Sequence, residues 1–325
     1  MADRVDVRLI ALDLDGTLLD PSGALTPRTC RAIGAAARRG IRVVLATARR
    51  FTGTLPVAEQ LGAVDALIVY DGAQARAHPA GSILFSHALP AAIGQRAAEV
   101  VAAHALQPIA QHGDASGERL LAAPAAPGRD WASSYLEHMR EQVRAVPLER
   151  VCAGQPDALR VVAFGPTRTL RQVARALTEA LPINESIRGE DGNHPVSLQR
   201  EFATQLLPRG SYGTAELTVF APGASKGAAL AQVAARYGIR LAQTMAIGDG
   251  LNDISMLKVV GLAVAMGTAP RVVRRAAHVI TCGNDDDGAA RAIEQYALGR
   301  PSSAPNPAAL PPVLPLELPP RAASE

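Results

Sequence analysis

Asp13 and Asp15, in the run Leu12-Asp13-Leu14-Asp15-Gly16-Thr17-Leu18-Leu19, are the first residues of this 325-residue chain equipped for chemistry. The apolar stretch before them, Val7 to Ala11, reads as a buried strand. Side chains alternate along a strand, so two carboxylates one residue apart at its end are expected on the same side. Gly16 and Thr17 then turn the chain. Like charges this close are unfavourable unless a cation or a shared proton relieves them, and hard carboxylate oxygens suit Mg²⁺.

Three further clusters also follow strand-like or turn segments. Thr47-Ala48-Arg49, after Val43 to Ala46, offers a hydroxyl and backbone N–H groups of the kind that hold a phosphate oxygen. Ala224-Ser225-Lys226-Gly227 opens a helix, where exposed N–H groups and the Lys226 ammonium attract an anion. Gly248-Asp249-Gly250-Leu251-Asn252-Asp253 sets two acids and an amide around a glycine-rich turn. With its two carboxylates four positions apart, one of them is expected to reach a metal directly. Read singly, each cluster is an ordinary turn or cap. Their joint weight comes from position, because open parallel sheets bind ligands beyond the carboxyl ends of their strands.

The elements that would position these residues alternate. Strands are expected near 7–12, 41–46, 66–70, 244–247 and 263–266. Helices are expected at 27–39, with Thr26 as N-cap before Pro27, and at 54–61, 225–237, 253–259 and 288–298. Such alternation predicts a Rossmann-like, doubly wound parallel α/β core. Between residues 82 and 218 the rhythm changes to short strands at 83–87 and 159–164 and helices at 91–103, 131–143 and 169–181. That segment is expected to be an inserted α+β unit, leaving residues 1–81 and 219–298 as the core. Residues 299–325, with eight prolines between Pro301 and Pro320, are expected to be a disordered tail.

Composition narrows the function classes. A net charge of +3 without a long basic run argues against a nucleic-acid groove. No membrane span is expected, since no uncharged apolar stretch of about 18 residues occurs. Three scattered cysteines, Cys30, Cys152 and Cys282, and an N-terminus without a signal-like apolar run favour a reduced, cytoplasmic setting. Only two lysines occur, Lys226 and Lys258, against 31 arginines by subtraction from 33 basic residues. A lysine kept at a helix start in so arginine-rich a chain points to a site needing a compact ammonium. Oligomeric state leaves no mark on the sequence.

In this order the four clusters resemble the motifs of the haloacid dehalogenase-like superfamily, closest to its Cof-type sugar-phosphatase branch. Asp13 to Leu19 matches the first motif, Thr47 the second, Lys226 the third and Gly248 to Asp253 the fourth. The resemblance implies a phosphatase for a small phosphorylated metabolite. Asp13 would attack phosphorus to give an aspartyl-phosphate, and Asp15 would protonate the leaving oxygen and then activate water. That proton role asks for partial burial of Asp15 or neighbouring carboxylates. Mg²⁺ would be held by Asp13, Asp249 and the Asp15 carbonyl, with Asp253 supporting the ligands. Thr47 and Ala48, Lys226 and Asn252 would bind the phosphate. The insert would be a cap that sets specificity. A phosphomutase-type transferase and a non-catalytic phosphometabolite sensor are the rival readings.

Three residues depart from the branch pattern. Ala48 stands where Gly is usual, Thr268 stands for Asn, and Asp71, in Tyr70-Asp71-Gly72-Ala73, replaces Asn beside the site. A carboxylate at 71 would repel a phosphate dianion unless Arg49 or another cation pairs it.

Overall fold

The computed structural model describes residues 6–115, 117–181, 183–184, 199–200, 202–207 and 213–299. The expected proline-rich tail thus lies, from residue 300 on, outside the described residues. The chain divides into two compact units, Met1–Arg42 with Ile239–Glu325, and Val43–Gly238.

The first unit opens with β1 (Leu9–Leu12), buried at all four positions, and α1 (Pro27–Arg38). The α1 start is as expected: Thr26 Oγ1 accepts the Thr29 N–H at 3.1 Å and Pro27 begins the helix. Thr29, Ala32, Ile33 and Ala36 recur at helical spacing and form its buried face.

β2 (Arg42–Ala46) carries the chain into the second unit, followed by α2 (Phe51–Leu61) and β3 (Ala66–Val69). β2 and β3 are parallel, with Ala46 opposite Ile68. β4 (Gln74–Ala77) and β5 (Ile83–Ser86) then add antiparallel strands to β3. After α3 (Ala91–Ala103) come β6 (Ile109–Asp114), β7 (Gly117–Ala122), α4 (Ser133–His138) and β8 (Val143–Ala145). β9 (Arg160–Gly165) and α5 (Thr167–Ala180) precede the two-residue pair β10 (Ile183–Asn184) and β11 (Gln199–Arg200). β12 (Ala203–Leu207), β13 (Ala215–Phe220) and α6 (Lys226–Arg236) complete the unit.

A six-stranded sheet of order β12-β13-β9-β6-β7-β8 dominates it, antiparallel throughout except for β7 with β8. One face is buried with Leu170, Val173 and Leu177 of α5 and Ala97 and Val101 of α3. The other packs Phe164 and Ile109 against Tyr135 of α4. The helix expected over 131–143 is shorter, ending at His138. Sheet pairing overrides helical propensity there: Leu120 donates its N–H to the Gln142 carbonyl, and Val143 joins β7 opposite Leu120.

The first unit resumes with β14 (Thr244–Gly248), α7 (Ile254–Leu257), β15 (Leu262–Ala265), α8 (Arg271–Arg275), β16 (Val279–Ile280) and α9 (Gly288–Ala292). β1, β14, β15 and β16 are mutually parallel neighbours in the order β16-β15-β14-β1. Their near-continuous apolar burial is what a parallel sheet covered on both faces requires. Among the described residues no helix is long and apolar enough to cross a membrane.

His112 on β6 is buried, with Nε2 3.4 Å from the Val151 carbonyl. Burial lowers its pKa from the ordinary 6.5. The unfolded chain therefore takes up the proton first, so His112 costs stability as pH falls below 6.5, levelling off below the folded pKa. Melting curves between pH 8 and pH 5 should show this acid loss, and His112→Gln should flatten it. An unchanged pH slope in the variant would refute the assignment.

Candidate active site

Strand register brings the acids of the first unit together. Leu12 pairs with Ile247, and the Asp13 N–H donates to the Ile247 carbonyl at 3.1 Å. Asp13 and Asp249 thus leave neighbouring parallel strands at the same end. One carboxylate oxygen from each of Asp13, Asp249 and Asp253 lies within 4.8 Å of the other two. Asp13 and Asp253 are buried and Asp249 half-buried. Three hard oxygen donors at this spacing fit a divalent cation such as Mg²⁺.

Each acid is held by its surroundings. Thr17 Oγ1 donates to Asp249 Oδ1 at 2.9 Å. Asp253 Oδ2 accepts the N–H groups of Asp249 at 3.0 Å and Gly250 at 2.8 Å, fixing the turn that aims Asp249. Gly16, at φ +83°, lets the first loop pass close to Asp249: a Cβ there would sit 2.4 Å from Asp249 Oδ2. Asn252 is half-buried in the same turn.

Asp15 lies beyond the end of the strand. β1 ends at Leu12, and the Leu14 carbonyl accepts the N–H groups of Thr17, Leu18 and Leu19, so a tight turn replaces strand alternation. Asp13 is buried while Asp15 is exposed, and the Asp15 side chain is outside the three-carboxylate group.

Asp253 differs in degree. It stands among the candidate ligands while doing the supporting work expected of it. Asp253→Ala should weaken Mg²⁺ binding by about 10- to 100-fold, the usual cost of losing such support. Asp253→Asn, which keeps one acceptor, should lose less; calorimetric titration of Mg²⁺ into both variants checks the order.

The second unit gathers Thr47, Ala48, Asp71 and Lys226. Thr47 follows β2, its N–H donating to Ile68, its carbonyl accepting from Asp71 N–H and its hydroxyl accepting from Arg49 N–H at 3.0 Å. Lys226 is the first residue of α6 and is 1% exposed; Ser225 caps the helix by accepting the Ala228 N–H. Gly72, at φ +99°, lies so close to α6 that a Cβ would stand 2.2 Å from the Ser225 carbonyl oxygen. The loop 70–72 is thereby pressed against the start of α6, beside Thr47.

Asp71 is buried, in the left-handed region (φ 55°) that Asp and Asn tolerate best. Its carboxylate is paired by Arg160 of β9, Nη1 to Oδ2 at 3.1 Å. The sequence leaves Arg49 or another cation as the expected partner, and Arg160 is one such cation. The same guanidinium donates from Nη2 to the Ala48 carbonyl at 3.0 Å and from Nε to Gln111 Oε1 at 2.7 Å. Burial would lower the Arg160 pKa, but the charges of Glu216 and Asp71 outweigh it and hold the pKa above its ordinary value. Burial raises the Glu216 carboxyl, with Asp71 adding to the rise and Arg160 opposing it.

Glu118 of β7 likewise lies outside every motif. It accepts the N–H groups of Phe51 at 2.8 Å and Thr52 at 3.0 Å, capping α2, and also the Thr52 and Tyr70 hydroxyls. Arg50 Nη1 lies 3.7 Å away. A carboxylate suits a helix N-terminus, and here it ties the six-stranded sheet to the segment following Thr47. Thr17, Arg160 and Glu118 act through partners 48 to 232 positions distant. Their one sequence signal is a polar residue opening or following an apolar strand.

The haloacid dehalogenase-like hydrolase family profile matches residues 10–116 and 191–293. An HMP-PP phosphatase from Serratia proteamaculans is 30% identical, over 81% of this chain and 84% of its own. A 5-amino-6-(5-phospho-D-ribitylamino)uracil phosphatase from Bacillus subtilis is 26% identical, over 90% of this chain and 97% of its own. In fold, a phosphatase structure of the same superfamily from Bacteroides thetaiotaomicron superposes with a TM-score of 0.71, at 21% identity, covering 90% of this chain and 96% of that one. Profile, relatives and fold agree with the carboxylates at adjacent strand ends, and the chain belongs to the haloacid dehalogenase-like hydrolases, among their phosphatases.

Proposed function

We propose that the chain is a Mg²⁺-dependent phosphomonoesterase for a small phosphorylated metabolite, working through an aspartyl-phosphate on Asp13. The observation that carries the reading is the group formed by Asp13, Asp249 and Asp253. The relatives named for phosphatase activity on small phosphorylated compounds support it.

Asp13 is the nucleophile: an oxygen of its carboxylate forms the bond to phosphorus as the ester oxygen leaves. Asp15 gives that oxygen its proton and later takes one from the attacking water. Because Asp15 is exposed, substrate covering it would supply the partial burial this role needs. Asp13, Asp249 and the Asp15 carbonyl would hold the cation, with Asp253 keeping the fourth-motif turn in place. Bound Mg²⁺ supplies neutralisation of phosphate charge and orientation of its oxygens. Thr47, the Ala48 backbone, Lys226 and Asn252 bind the non-bridging oxygens, since positioning and electrostatics dominate phosphoryl transfer. Residues 82–218 act as the cap that selects the leaving group, and residues 1–81 with 219–298 as the catalytic core.

A phosphate-release screen tests the proposal, over sugar phosphates, nucleotides, pyridoxal phosphate and flavin precursors, with Asp13→Asn as the blank. Release from at least one monoester, lost without Mg²⁺, is the expected result. Release that needs an added sugar bisphosphate would favour the phosphomutase reading, and binding without release the sensor.

A further inference from the structure

The strongest unassigned feature is the buried guanidinium of Arg160, which reaches from β9 to Ala48 of the proposed phosphate loop and to Asp71 in the loop 70–72 beside it. Three of its hydrogen bonds each have a different purpose. Gln111, itself donating from Nε2 to the Tyr135 hydroxyl at 2.7 Å, holds Arg160 to its own sheet. The Ala48 carbonyl anchors the loop that carries Thr47. Asp71 Oδ2 receives the third bond, and its backbone N–H in turn donates to the Thr47 carbonyl. Arg160 also lies over the Tyr70 ring, 5.5 Å from its centroid.

We infer that Arg160 is a positioning residue for the phosphate site, neutralising Asp71 and pinning the Thr47–Ala48 loop. The inference rests on the proposed phosphate-binding role of Thr47 and Lys226. The physical need is one of charge: Asp71 is tied to Thr47 through its backbone N–H, and its carboxylate, left without compensation, would oppose a dianion held by that loop. Arg160 cancels that charge at the cost of burying a guanidinium, and Asp71 and Glu216 flank it electrostatically. The acid at 71 and the base at 160 are therefore one ion pair, beside which lies Glu216, a second acid whose carboxyl pKa is pushed up by burial.

A double-mutant cycle tests this, read by calorimetric binding of inorganic phosphate with Mg²⁺ and by hydrolysis of p-nitrophenyl phosphate. Arg160→Gln should weaken phosphate binding and raise KM by about tenfold or more, through the Asp71 charge it no longer neutralises. Adding Asp71→Asn to Arg160→Gln should restore most of that affinity, because it removes the offending charge without rebuilding any contact. Arg160→Lys keeps the charge but cannot reach all three acceptors, so affinity should hold while kcat falls several-fold. A double variant as weak as Arg160→Gln would overturn the inference, since a packing role gains nothing from an amide at position 71. If Arg160→Gln fails to fold, the double variant and Arg160→Lys carry the decision: weak phosphate binding in both overturns it. A wild-type protein that releases no phosphate from any monoester would instead count against the proposed function, and calorimetry would still judge the Arg160–Asp71 pair.

Discussion

Asp13→Asn should lower kcat by about 10⁴-fold or more, while the melting temperature stays the same or rises. The amide is close in size to the carboxylate and keeps an acceptor oxygen, so the packing at the end of β1 survives. It cannot form the bond to phosphorus, which removes the first chemical step outright. It also relieves repulsion among three acids whose oxygens lie within 4.8 Å of one another, hence no loss of stability without metal. Steady-state kinetics beside thermal melts in EDTA separate these effects. Residual turnover above one-hundredth of wild type would exclude Asp13 as nucleophile. A large loss of stability would mean that the acids are tied together by something other than a cation.

Gly72→Ala should produce the largest loss of stability, about 3 kcal/mol or more, together with weaker phosphate binding. A Cβ at residue 72 would stand 2.2 Å from the Ser225 carbonyl oxygen and 2.9 Å from the Lys226 nitrogen. Both are backbone atoms, so relief requires moving the start of α6 rather than turning a side chain. The left-handed φ of +99° adds strain of about 1–2 kcal/mol. Urea denaturation should show the shift in midpoint, and phosphate titration the loss of Lys226 placement. Gly128→Ala is a suitable control, having positive φ but open space around it, and should cost only the strain. Equal losses in the two variants would show that the close approach to α6 is unimportant.

Much of this was legible in the chain because it is local. An apolar strand ending in Asp-x-Asp-Gly-Thr places Asp13 without knowledge of any distant residue, and Thr26-Pro27 announces α1. The meeting of Asp13 with Asp249 needed only that both follow buried parallel strands, which the register of Leu12 with Ile247 supplies. Period-two reasoning loses its basis at Asp15 because the strand stops three residues earlier, at Leu12, and the Leu14 carbonyl closes a turn. The helix placed over 131–143 failed where Val143 found a strand partner in Leu120, a pairing 23 positions apart by subtraction. Arg160 was invisible for the same reason. Its value lies in Asp71 and Ala48, 89 and 112 positions away, and an arginine opening an apolar strand reads as a solvated end. Asp71 itself was readable as an anomaly, and the anomaly pointed correctly to a cation whose identity only the fold could give.

The most direct measurement is chemical trapping of the proposed intermediate. Protein turning over a monoester with Mg²⁺ would be acid-quenched, reduced with borohydride and digested for mass spectrometry. An acyl phosphate on Asp13 is converted to homoserine by this treatment, so homoserine at position 13, dependent on both substrate and Mg²⁺, is the predicted result. Steady phosphate release with Asp13 recovered unmodified, or with the modification at another residue, would contradict the account.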